Sequence, residues 1–202
     1  ATSNSHCIGI VKLMGRHCGW IALESTLAAR HVDVCLLPEM PISLPKLLTH
    51  ALHLIRTKGY AVFVVAEGCG ETLMEGSQES DAGGNRKLED VGPWLSKQLL
   101  TYFMTMQEPL TVKYIDPTYT IRAVPANTTD SVYCAVLAQH AVHGALAGYS
   151  GISVGKVDER FVLLPIHAIT QGGQRKVELG GRQLERMLAT TGQPSLAPGP
   201  GD

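Results

Sequence analysis

Apolar and polar positions follow two rhythms along this chain. Continuous apolar runs at residues 8–14, 32–37, 60–66 and 110–115 predict strands, and the third is apolar nearly throughout, as in a strand covered on both faces. Between them the spacing becomes helical. Residues 20–30, 45–58 and 88–106 predict helices; in the second, Leu47, Leu48, Ala51, Leu52 and Ile55 fall on one face. An alanine-rich helix is predicted over 128–147, suited to close packing on a sheet, followed by two weaker strands at 152–157 and 160–164 and a short helix at 182–189. Residues 68–87 and 116–127 read as loops, and the proline- and glycine-rich stretch 194–202 predicts a disordered tail. The alternation predicts a layered α/β/α fold with a mostly parallel sheet, extending over residues 1–193.

Composition narrows the function classes. An apolar content of 45% over 202 residues predicts a globular chain with one sizeable core. Seventeen basic and 18 acidic residues leave a formal net charge of −1, which gives no electrostatic ground for nucleic acid or an anionic membrane as partner. No apolar run approaches the roughly 20 residues of a membrane span. Five scattered cysteines, none in a C-x-x-C pair, predict reduced thiols, with Cys35 and Cys134 buried. His140 and His143 lie one helical turn apart but lack a third ligand, so no metal site is expected. Asp81 to Asn85 lacks the spacing of a calcium loop, and Asn127 before Thr128 and Thr129 is expected to cap a helix rather than carry a glycan. Opening at Ala1 with no initiator methionine or leader, the chain is expected to be a piece of a longer protein.

The candidate chemistry lies where strands end. Met14, Gly15 and Arg16 follow the first strand; glycine lets a ligand approach the backbone, and the guanidinium fork suits phosphate. Glu67 follows the third strand, and Lys113, Tyr119 and Arg122 lie at and after the fourth. In a parallel sheet such ends share one edge, where ligands bind. Arginine, lysine and a phenol can hold a phosphate, and a carboxylate can accept from sugar hydroxyls, so the combination points to a phosphosugar. Each residue also has a plainer use. Glu67 could cap a turn, Tyr119 could pack, Arg122 could pair with Asp116, and Lys113 could face solvent.

Longer blocks carry a resemblance. Gly9-Ile10-Val11-Lys12-Leu13-Met14-Gly15-Arg16, Val65-Ala66-Glu67-Gly68, Lys113-Tyr114-Ile115-Asp116-Pro117-Thr118-Tyr119-Thr120-Ile121-Arg122, Ala138 to Ala145 and Thr191 to Ser195 resemble the phosphofructokinase family, and within it the plant-type ATP-dependent 6-phosphofructokinases. The resemblance implies a glycolytic, allosterically regulated kinase whose subunit has two α/β domains with fructose 6-phosphate between them. It implies that Met14, Gly15 and Arg16 contact the sugar at its reacting end, with Arg16 catalytic. Glu67 would bond the sugar, and Tyr119 with Arg122 would bind the 6-phosphate, a tyrosine standing where many bacterial relatives have histidine. Lys113 would reach into a neighbouring subunit's site, so a homo-oligomer with shared sites is implied. Cys7 falls near a position where bacterial relatives often carry another cross-subunit arginine, which counts against a bacterial style of regulation. The family's glycine-rich nucleotide loops and its Thr-Ile-Asp-Asn-Asp segment are absent from these residues. The chain is therefore expected to be the C-terminal, fructose 6-phosphate-binding part, inactive alone, with ATP and Mg²⁺ held mainly by the missing N-terminal part. A pyrophosphate-dependent enzyme and a non-catalytic sugar-phosphate-binding or regulatory module are the alternatives. The expected location is cytoplasmic, with a plastid as the variant.

Overall fold

A computed structural model describes residues 2–69, 71, 74, 90–173 and 175–199. The chain divides into two compact units, residues 1–119 with 176–202, and residues 120–175.

The first unit is built on a four-stranded parallel sheet. Its strands are β1 (Cys7–Leu13), β2 (Val34–Leu36), β3 (Tyr60–Ala66) and β4 (Thr111–Ile115), in the order β2-β3-β1-β4. Register is continuous along the centre, from Cys7 opposite Tyr60 to Leu13 opposite Ala66. Successive side chains of a strand face opposite sides, and β3 shows the consequence. Ala61, Phe63 and Val65 join one buried cluster, while Val64 and Ala66 join another. The first cluster packs under α2 (Leu44–Lys58) and α3 (Val91–Thr105), the second under α1 (Trp20–Ala29) and α7 (Arg182–Thr191). Layering is thus helix, sheet, helix, as the alternation predicted.

Local chemistry explains the boundaries. In α2 the five residues expected on one face are all buried, Pro45 sits in the first turn where no N–H is needed, and Gly59 closes the helix with φ 81°. The Asp90 side chain caps α3 by accepting from the Gly92 N–H. Edge strand β2 is shorter than the predicted 32–37, and its free side is satisfied by a side chain. The Gln193 amide donates to the Cys35 carbonyl at 3.1 Å and accepts from the Cys35 N–H at 2.6 Å. The predicted disorder from Pro194 onward fails over the described residues. Leu196 is buried, its carbonyl accepts from the Ser43 N–H at 2.7 Å, and Lys46 Nζ donates to the Ala197 carbonyl. One apolar anchor and backbone bonding outweigh the proline- and glycine-rich composition.

The second unit contains α5 (Thr128–Leu146), the antiparallel hairpin β5 (Ile152–Val157) and β6 (Arg160–Pro165), and α6 (Ile166–Gln171). Asn127 caps α5, accepting from the Asp130 N–H at 2.8 Å, as its sequence position implied. Helix α5 meets the hairpin where Gly144 lies against Ile152 and Leu163, and the His140 ring stacks on Phe161 at 5.4 Å. Cys134 is exposed here, contrary to expectation, whereas Cys35 is buried and burial pushes its thiol up to about 11. Residues 118–123 form a short helix, α4 (Thr118–Ala123), inside the predicted loop 116–127. The faint calcium-like stretch at 81–85 lies outside the described residues.

Candidate functional site

The topology itself selects a location. The chain leaves β1 for α1 on one face of the sheet and leaves the adjacent β3 for α3 on the other. Neighbouring strands whose connections diverge in this way open a crevice at their carboxyl ends, the usual ligand position in open α/β sheets. Met14-Gly15-Arg16 and Glu67-Gly68 form its two lips.

The lips are tied together by backbone. The Glu67 N–H donates to the Leu13 carbonyl at 2.9 Å and the Gly68 N–H to the Gly15 carbonyl at 3.1 Å. Two glycines make that approach feasible. Gly15 has φ 143°, and a Cβ there would stand 2.5 Å from the Cys18 carbonyl oxygen; a Cβ at Gly68 would stand 1.8 Å from that of Arg16. Beside the lips lies a cavity of about 140 Å³, lined among others by Arg16, His17, Glu39, Gly68, Glu71 and Lys176. Glu39 was not anticipated from sequence. Its carboxylate accepts from the Gly19 N–H at 3.0 and 3.1 Å and from the Val177 N–H at 2.9 Å. Gly19, the residue before α1, offers no side-chain cap, and Glu39 supplies the missing acceptor and the favourable charge.

Arg16 and Lys176 bring positive charge to a pocket that also holds the carboxylates of Glu39 and Glu71, and half-buried Glu67 offers an acceptor at the opposite lip. This arrangement can bind a small anionic molecule bearing hydroxyl groups. Met14, Gly15, Arg16 and Glu67 are therefore brought together as expected. Tyr119 and Arg122 sit three residues apart on α4, both exposed, so they share a helical face. Lys113 does not join the strand-end group. It lies mid-strand opposite Gly9, two residues before the last β1–β4 pair, and is exposed. Strand periodicity could have shown this, because its strand runs on through Tyr114 and Ile115.

A second cluster at this sheet edge was also missed. Lys12 Nζ lies 3.1 Å from Asp90 Oδ2 and 2.8 Å from Asp116 Oδ2, and the Tyr114 hydroxyl donates to Asp90 at 2.9 Å. Burial draws the Lys12 ammonium down, but hydrogen bonds to Asp116, Asp90 and Tyr114 outweigh it and raise the group above its ordinary value. Hydrogen bonds from Lys12 and Thr118 hold the Asp116 carboxyl down at about 2. The available signal was a lysine inside an apolar strand, a position that demands a partner.

A parallel sheet with a glycine-, arginine- and carboxylate-lined crevice at its switch point defines an α/β protein of the open-sheet class, with a candidate small-molecule site at the strand ends. The phosphofructokinase family pattern matches residues 1–145, and the chain belongs to that family. It is 47% identical to the chloroplastic ATP-dependent 6-phosphofructokinase 5 of Arabidopsis thaliana, over 97% of this chain and 37% of that protein. It is 41% identical to the ATP-dependent 6-phosphofructokinase of Amycolatopsis methanolica, over 96% of this chain and 44% of that protein. Among solved structures, the pyrophosphate-dependent phosphofructokinase of Nitrosospira multiformis matches with a TM-score of 0.65 at 20% identity, over 98% of this chain and 51% of that one, a likeness of fold. The chain thus spans about two fifths of the length of these curated relatives.

Proposed function

We propose that this chain is the fructose 6-phosphate-binding part of an ATP-dependent 6-phosphofructokinase, a glycolytic enzyme that transfers the γ-phosphate of ATP to the 1-hydroxyl of the sugar. The observation that carries the reading is the crevice between β1 and β3, where Arg16 and Glu67 stand on two lips that backbone bonds and the close approach of Gly15 and Gly68 hold together. In this reading Met14 and Gly15 line the sugar, and Glu67 accepts from its hydroxyls. Arg16 stabilises the charge that develops at the reacting phosphoryl group. Tyr119 and Arg122 bind the 6-phosphate. Lys113, exposed on β4, serves the site of a neighbouring subunit in a homo-oligomer.

Phosphoryl transfer also needs the donor, its Mg²⁺ and a group near the attacking hydroxyl held in line. Among the described residues no group of three or more His, Cys, Asp or Glu could hold a metal ion, and no step is assigned to Mg²⁺ in this chain. ATP and Mg²⁺ are held mainly by the remainder of the enzyme, and the 202 residues alone do not turn over. The ATP-dependent relatives at 47% and 41% identity support ATP as donor. The enzyme works in the cytoplasm, or in a plastid as the name of the chloroplastic relative suggests.

The test uses the full-length enzyme. A charge-assisted bond contributes about 1.5–3 kcal/mol, so Arg122→Ala should raise KM for fructose 6-phosphate roughly ten- to a hundredfold. Arg16→Ala should instead act chiefly on kcat. An unchanged KM in Arg122→Ala would remove α4 from the phosphate site, and turnover with pyrophosphate but not ATP would reassign the donor.

A further inference from the structure

We propose that Lys12 is a positioning residue, its ammonium joining Asp90 to Asp116 and so fixing where α4 begins and how Tyr119 is presented. The inference rests on the reading that α4 holds the sugar phosphate.

The geometry runs in one connected path. Ile8 and Ile10 face the cluster under α3, and strand alternation places Lys12 on the same face. The register that pairs Val11 with Ile115 brings Asp116 beside Lys12 at the end of the sheet. The ammonium lies 2.8 Å from Asp116 Oδ2, while Asp116 Oδ1 accepts from both the backbone N–H and the hydroxyl of Thr118, the first residue of α4. The same carboxylate therefore answers Lys12 with one oxygen and starts the helix with the other. On the opposite side Lys12 lies 3.1 Å from Asp90 Oδ2, and Asp90 Oδ1 accepts from the Gly92 N–H at 3.1 Å. The Tyr114 hydroxyl donates to Asp90, and the Tyr114 ring packs so closely on Gly92 that a Cβ there would stand 1.9 Å from it. Asp90 is thus anchored to α3, and Lys12 transmits that anchor to Asp116.

Helix α4 needs such an anchor. It has six residues and none is buried, and a helix this short has little stability of its own. Its start is set at its first residue, through Thr118 and Asp116. The Lys12 side chain is only 14% exposed, while Asp90 and Asp116 remain open to solvent on their outer sides. Without the ammonium, two carboxylates face one another with no cation between them, and Asp116 is pushed away from its place beside β1.

The test uses the full-length enzyme and compares Lys12→Met, Lys12→Arg, Asp116→Asn and their combination with Arg122→Ala. Because the ground-state phosphate grip is disturbed rather than the reacting end, Lys12→Met should raise KM for fructose 6-phosphate about tenfold and leave kcat within about twofold. Asp116→Asn should do the same, and Lys12→Met with Asp116→Asn should be no worse than either alone, since both break one link. Lys12→Arg should recover most of the loss. Asp116 is exposed, so its variant supplies the answer if Lys12→Met folds poorly. An unchanged KM in Asp116→Asn, or additive effects of the pair, would overturn the proposal. If Arg122→Ala raises KM while Lys12→Met and Asp116→Asn do not, Lys12 has no positioning role and the phosphate reading stands. If Arg122→Ala has no effect either, both fall together.

Discussion

The two units of this chain use similar residue types to different ends. In the first, both faces of the sheet are covered, and Phe63, Ile8, Ile10, Leu23 and Met187 are fully buried. In the second, Gly144 is the one buried residue that α5 contributes, and apolar side chains stand outward, with Leu146 82% and Tyr149 61% exposed. Two helices and a two-stranded hairpin enclose little core, because each element offers one apolar face, and among the described residues α6 contributes no buried one. The contrast separates two sources of order. Packing on both faces of the sheet holds the first unit, whereas the second has backbone bonds within α5 and along the hairpin and a few side-chain contacts between them, such as His140 on Phe161.

Hydrogen exchange on the 202-residue chain tests this most directly. Amides of β1 and β3 should open only with the core, while those of α5, β5 and β6 open locally, so exchange in the second unit should be faster by roughly a hundredfold or more. Equal protection in the two units would break the contrast and indicate that the outward apolar surface is covered in solution.

Substitutions sharpen it next. Phe63 is 0% exposed between α2, α3 and the sheet, and Phe63→Ala should lower stability by about 3–5 kcal/mol. Val142 is exposed on α5, and Val142→Ala should change stability by no more than about 0.5 kcal/mol. Urea unfolding followed by circular dichroism and by tryptophan fluorescence reads both. Trp20 and Trp94 both pack in the first unit, so fluorescence reports that unit selectively. Similar losses from the two variants would mean that α5 buries Val142 after all.

The same contrast explains what sequence made legible. β3 and α2 are plain because burial writes itself into their composition: an all-apolar run for a strand covered on two faces, a single stripe for a helix covered on one. Strand ends in a parallel sheet then make Met14, Gly15, Arg16 and Glu67 predictable neighbours. Where order comes from polar links between distant residues, the pattern is silent. Helix α4 has no apolar stripe and no buried residue, so its six residues read as loop. Its start depends on Asp116, and Asp116 depends on Lys12, 104 positions earlier in the chain. Cys134 misled for a related reason, since an apolar helix pattern predicts burial only if something lies against it.

The smallest effect expected is a dependence on pH that belongs to the first unit. Asp116 titrates near 2 in the folded chain, against an ordinary 3.8, because Lys12 and Thr118 donate to its ionised form. A carboxyl lowered by folding adds stability that is complete above its unfolded value and disappears as pH falls through its folded value. The window is therefore from about pH 4 down to about pH 2. Lys12 shifts the other way, so its share persists through neutral pH and is lost only in strongly alkaline solution. Asp116 remains substantially exposed, and solvent screening keeps the contribution modest. The chain and its Asp116→Asn variant should be unfolded in urea at several pH values between 5 and 2. The wild-type midpoint should fall more steeply than that of the variant, and the difference between them should close towards pH 2. Parallel curves across that range would mean that the Lys12–Asp116 link adds nothing to the stability of the first unit.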